Sequence, residues 1–175
     1  MKNKNLTITL LSLVLLGVFV IFFVGERNGD DAKDKESALT PLYSSGVLEA
    51  VENNFDFGTI LMQDGPVSKK FKIVNNGDEI LKIGKVYTSC ACTTASIIDE
   101  SGKKYGKFGM PGHKGFRSIA DVKVKPDESV VVEVVYDPAF HGPSGVGLAQ
   151  RSIYIESNST KSPKLELKFQ AIVTR

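Results

Sequence analysis

Residues 66–83 read PVSKKFKIVNNGDEILKI, and the reading of this stretch decides the fold. Val67, Phe71 and Ile73 share one parity while Lys70 and Lys72 fall on the other, the pattern of a strand with one face in a core and the other in water. NNGD at 75–78 is a turn signal, and Leu81 and Ile83 then open the next strand. Working outward, FDFGTI precedes this hairpin from Phe55. Downstream come IADVKV (119–124), a turn at PDE, SVVVEVVYD (129–137), RSIYIES (151–157), a turn at NSTKSP, and KLELKFQAIV (164–173). No stretch has the pattern of an amphipathic helix of useful length. About seven short strands punctuated by turns predict an all-β domain, an immunoglobulin-like β-sandwich. Roughly 130 residues suffice to bury such a core, and the domain is expected over 47–175.

Ahead of it, residues 6–24 read LTITLLSLVLLGVFVIFFV without a charge, about the length of helix that crosses a bilayer's hydrocarbon core. No small-x-small site precedes Glu26, the run exceeds an ordinary signal h-region, and no Cys follows it for lipid attachment. These features favour a single-pass transmembrane anchor at 1–25 over a long signal sequence. Lys2 and Lys4 precede the span, so the positive-inside bias keeps the N-terminus cytoplasmic and places the rest outside the cytoplasm. Residues 26–46 carry mixed charge and few apolar groups, and read as a flexible tether. The chain has 22 basic and 20 acidic residues, a net charge of +2, and no basic block interleaved with aromatics, which argues against nucleic acid as a partner. The membrane and an envelope protein remain as partners.

FDFGTI, FKIVNNGDEILKI, YTSCACTTA, VKPDESVVVEVVYDP and IYIESNSTKSPKLELKFQAIV occur in that order between Phe55 and Val173. In this the chain resembles the family called domain of unknown function 1573, whose members look like bacterial relatives of the ASH and major-sperm-protein type of immunoglobulin-like domain. The resemblance implies a fold more than an activity. The chain departs from the short family pattern in two longer loops, DESGKKYGKFGMPGHKGFRS and AFHGPSGVGLAQ, which hold both histidines. Such insertions are expected at the surface, where sites are commonly built.

Cys90 and Cys92, in YTSCACTTA, are the only cysteines, so an inter-sheet disulfide of the antibody kind is excluded. On a strand, residues i and i+2 would lie about 6.6 Å apart with nearly parallel Cβ vectors, a poor geometry for a disulfide and a better one for two thiolates sharing an ion. Soft ligands favour copper(I), and thiolate with imidazole also suits zinc. The rest of the soft-ligand inventory nearby is Met110 and His113 in GMPGH and His141 in FHGPSG. If both loops fold over the strand end, a metal site drawn from Cys90, Cys92, His113 and His141 is expected, with Met110 as an extra ligand. Two alternatives stay open for the pair: buried packing, and reversible disulfide chemistry. Arg151 reads as a solvated edge charge in preference to the partner of a nearby acid such as Asp137. The chain has no Cys-x-x-Cys within a βαβ pattern, and a nucleophile–base pair drawn from Cys90 or Cys92 with His113 or His141 comes with no seat for an oxyanion donor or substrate, so no catalysis is expected. A copper- or zinc-binding envelope domain and a metal-free interaction module are the two functional readings.

Overall fold

The computed structural model describes residues 42–175. The predicted anchor at 1–25, and residues 26–41 of the predicted tether, lie outside them. Among the described residues no helix is long and apolar enough to cross a membrane.

Ten strands follow in chain order: β1 (Leu48–Ala50), β2 (Asn54–Leu61), β3 (Val67–Asn75), β4 (Leu81–Thr88), β5 (Thr93–Ile98), β6 (Lys104–Phe108), β7 (Ile119–Val124), β8 (Ser129–Tyr136), β9 (Gly147–Ser157) and β10 (Lys164–Thr174). They form two five-stranded sheets, ordered β1-β3-β8-β5-β6 and β2-β10-β9-β4-β7. Every pairing is antiparallel except that of β2 with β10. The all-β two-layer architecture read from the sequence is therefore present, with more strands than the seven expected.

Three strands are additional: β5, inside its sheet between β8 and β6, and two edge pieces. β1 has only three residues, and β6 sits inside the first long loop, where KYGKF buries only Phe108 completely. An edge strand exposed on one face and at one border shows too few apolar positions for its period to stand out. The central strands do show it. Phe71 and Ile73 on β3 and Val130, Val132 and Val134 on β8 are no more than 1 % exposed, while Lys70 and Lys72 face out. Opposite them lie Ile83, Ile153, Ile155 and Leu167, each fully buried. This is the packing of two inner faces in a sandwich.

Buried polar groups are tied in. Asn75 has no exposed surface; its Oδ1 accepts from the amides of Val47 and Gly77, both at 3.1 Å, and its Nδ2 donates to the carbonyls of Glu79 at 2.8 Å and Val124 at 3.1 Å. At the start of the described chain, Ser44 is 1 % exposed and is bridged to the β9–β10 turn through its amide on the Asn158 carbonyl at 2.9 Å. Packing thus reaches back three residues before Val47.

The connections matter most for the site. β4 belongs to one sheet and β5 to the other, so Ser89–Cys92 is a turn that crosses the open end of the sandwich. Thr93 pairs with Tyr136, the last residue of β8, and Phe108, the last of β6, pairs with Ala95. The loops after β6 and β8 therefore leave the sandwich at the same end as the cysteine turn.

Candidate functional site

The cysteine turn is held from below. Thr88 is 1 % exposed, with Oγ1 lying 2.9 Å from the Cys90 carbonyl and 3.1 Å from that of Thr93. The Thr93 amide closes the turn on the Cys90 carbonyl at 3.2 Å. Neighbouring strands hold it from outside. Ser89 donates to the Ser152 carbonyl and accepts from the Ser152 amide through Oγ, both at 2.9 Å, while the Asp137 amide reaches the Cys92 carbonyl at 2.9 Å.

The expectation that both cysteines lie on a strand with parallel Cβ vectors is corrected by this geometry. They sit in a turn, which shortens their Cα separation to 5.3 Å and brings the two sulfurs together as a disulfide. The separation falls within the ordinary range for such bonds. Cys92 is 3 % exposed, whereas Cys90 is only partly buried.

Each sulfur has its own polar neighbour. His141 Nε2 lies 3.2 Å from Sγ of Cys90, and Arg151 Nε donates to Sγ of Cys92 at 3.1 Å. The imidazole is delivered by the β8–β9 loop, a chain of tight turns. There the Asp137 side chain accepts from the Ala139 amide at 2.9 Å, the Gly142 amide from behind bonds Ala139 O at 2.9 Å, and Ser144 Oγ donates to the His141 carbonyl at 2.7 Å. The Phe140 ring meets the imidazole edge-on at 5.0 Å. The ligand atoms of Cys90, Cys92 and His141 all lie within 4.8 Å of one another, close enough for one ion at normal Cu–S, Zn–S and metal–N distances once the sulfurs are reduced.

The other predicted ligands are placed differently. His113 is exposed at the tip of the β6–β7 loop and does not belong to this cluster. The loop folds back on its own strand, with the Arg117 amide on the Lys107 carbonyl at 3.2 Å and the His113 amide on that of Met110 at 3.3 Å. Its stem does reach the cysteine end, since the Thr88 amide bonds the Gly109 carbonyl at 3.3 Å. Met110 stands 36 % exposed in the same turn.

Arg151 is placed differently from its sequence reading. Instead of standing in solvent at an edge, it is half-buried, with its guanidinium on Cys92 and its Cζ 5.8 Å from the centre of the Tyr136 ring. A signal was available: Ile153 and Ile155 face inward, and Arg151 shares their parity on β9. Burial pushes the Tyr136 hydroxyl above the usual tyrosine range, partly offset by Arg151. Arg151 also borders a groove of about 680 Å³ whose lining includes Lys168, Asp56 and Glu166, a balanced set of charges.

Comparison with known proteins places the fold. A family model described as protein of unknown function (DUF1573) matches residues 48–109. A crystal structure of a protein of unknown function from Porphyromonas gingivalis W83 is similar over 79 % of this chain, with a TM-score of 0.53 at 21 % identity. The chain spans about half of that protein, 51 % of its length. The ASH/PapD-like domain 7 of human CEP192 aligns over 77 % of this chain and 89 % of its own, with a TM-score of 0.44 and 16 % identity. No curated protein matches the chain. The matched residues, 48–109, run from β1 to the residue after β6 and so take in the first six strands of the domain.

Proposed function

We propose that the domain binds one soft transition-metal ion when Cys90 and Cys92 are reduced, with His141 as third ligand, and that it does so outside the cytoplasm on a membrane anchor formed by residues 1–25. The observation that carries the reading is the convergence of both sulfurs with an imidazole from a loop 51 residues away. Two sheet-crossing connections, β4–β5 and β8–β9, meet at one end of the sandwich and bring both sulfurs and an imidazole to a common point. Chemistry then selects the ion. Structural zinc takes four ligands, while the cluster of His, Cys, Asp and Glu among the described residues stops at three. Two thiolates and one imidazole suit copper(I) better. Binding, and not catalysis, is the activity this arrangement serves.

The test is a competition titration of the full-length chain, purified reduced and metal-free, with copper(I) and with zinc(II). One copper(I) per chain is expected, bound more tightly than zinc. Affinity should fall at least roughly ten-fold in His141→Ala and be lost in Cys90→Ser/Cys92→Ser, with His113→Ala unchanged. Binding indifferent to both cysteines would overturn the reading.

A second reading, an interaction module of the cell envelope, is favoured by exposed apolar groups on and beside the His141 loop. Phe140 is 50 %, Val146 45 % and Leu148 66 % exposed, and Ile172, the cross-strand partner of Leu148, is 51 % exposed. Adjoining apolar residues left in water mark candidate contact surfaces.

A further inference from the structure

The disulfide at the end of the sandwich is chemically lopsided. Cys90 is the less buried of the two residues, and its sulfur lies beside the exposed imidazole of His141. Cys92 is 3 % exposed, and its sulfur faces the Arg151 Nε–H at 3.1 Å and the Thr93 hydroxyl at 3.6 Å. Thiol–disulfide exchange needs two different things of the two sulfurs: access at the one attacked, and stabilisation of negative charge at the one that leaves. Here the two requirements are met at separate atoms. The Tyr136 ring and the Cys92 sulfur hold Arg151 in place before any reaction begins.

We propose that this pair exchanges with a low-molecular-weight thiol in a fixed direction, with Cys90 attacked and Cys92 leaving. In the first step the external thiolate bonds to Sγ of Cys90. The Cys90–Cys92 bond breaks, and its electron pair moves onto Sγ of Cys92, where the guanidinium N–H receives the charge as a charge-assisted hydrogen bond. In the second step another external thiolate attacks the outer sulfur of the mixed disulfide and releases Cys90 as thiolate. Two thiols are oxidised to one external disulfide, the pair gains two electrons, and the two protons given up by the thiols end on Cys90 and Cys92. The reaction is stoichiometric and reverses with an excess of external disulfide.

The proposal concerns the oxidised pair and does not depend on metal binding. It does supply the step that opens the dithiol form which the metal reading requires.

The experiment uses the full-length oxidised chain, without metal, and glutathione as the probe. The reaction is quenched with acid at early times, free thiols are alkylated, and peptides are mapped by mass. Glutathione is expected on Cys90 with the alkyl group on Cys92. Arg151→Met should slow the exchange about ten-fold or more, and Arg151→Lys, which keeps the charge, by less. Glutathione found mainly on Cys92, or equally on both, overturns the proposal, as does a folded Arg151→Met that reacts at the wild-type rate. If the second step outruns trapping, oxidised glutathione is offered to the reduced single variants. Cys90 in Cys92→Ser should then be modified at least roughly ten-fold faster than Cys92 in Cys90→Ser, and equal rates again overturn the proposal. Copper(I) titration of the reduced wild-type chain is read separately, so either reading can fail while the other stands.

Discussion

Asn75 shows how much one polar side chain can hold. With no exposed surface, it satisfies two amides and two carbonyls drawn from four positions of the chain, at Val47, Gly77, Glu79 and Val124. Replacing it with alanine removes all four bonds and leaves buried backbone groups unpaired, which costs more than the bonds themselves contribute. Asn75→Ala is expected to lower unfolding free energy by about 2–4 kcal/mol, read as a lower urea midpoint at unchanged slope. A change below about 0.5 kcal/mol would contradict this account. At the same scale, Arg151 and His141 divide the two sulfurs between a buried and an exposed environment. The NNGD run announces a turn, but nothing in it says that its first residue is a buried cross-tie, because that role depends on β1 and β7 arriving from elsewhere.

Among the elements, β6 is a strand whose sequence hides it. Between β5 and β6 the register slips, so that Ala95 faces Phe108 while Ile97 faces Tyr105, leaving one extra residue on β6. Gly106 accommodates the bulge with φ +69°, and the Phe108 ring packs directly over its Cα, where a Cβ would stand. Phe108 is itself fully buried. Gly106→Ala should therefore be doubly unfavourable, through the left-handed backbone and through displacement of a core ring, by about 2–4 kcal/mol together. Thermal unfolding tests it, with a fall in Tm of roughly ten degrees or more expected for a domain of this size. A Gly106→Ala chain that melts like the parent would show that the bulge is not rigid. The long loop was legible as Gly-rich and exposed; the strand within it was not, since a bulge breaks the two-residue period on which strand reading rests.

For the whole molecule, charge is spread over both sheets in small local arrangements. Hydrogen bonds from Gln170 to Asp56, Ser101 to Asp99, Lys82 to Asp121, Lys104 to Glu133, and from Ser129 to Glu100 and Ser152 to Glu166, hold these six carboxyls below the usual carboxylate range. A carboxyl depressed in the folded state stabilises it above the unfolded value, near pH 4, and that stabilisation is lost as pH falls through the lower folded value. The domain should hold a level Tm from about pH 7 to pH 5 and lose stability between about pH 4 and pH 2, as followed by circular dichroism. A Tm independent of pH in that range would mean these contacts persist in the unfolded chain or contribute nothing. By itself the sequence determined the all-β class, the two inner faces and most strand positions, because alternation of apolar and polar residues is a local property that burial enforces along each strand. It also marked Cys90, Cys92 and His141 as chemically scarce. Only the tertiary structure decided that the cysteines occupy a sheet-crossing turn, that His141 and not His113 reaches them, and that Arg151 turns inward to Cys92. Those outcomes depend on which loops leave the sandwich at the same end, a consequence of strand order that no local pattern encodes.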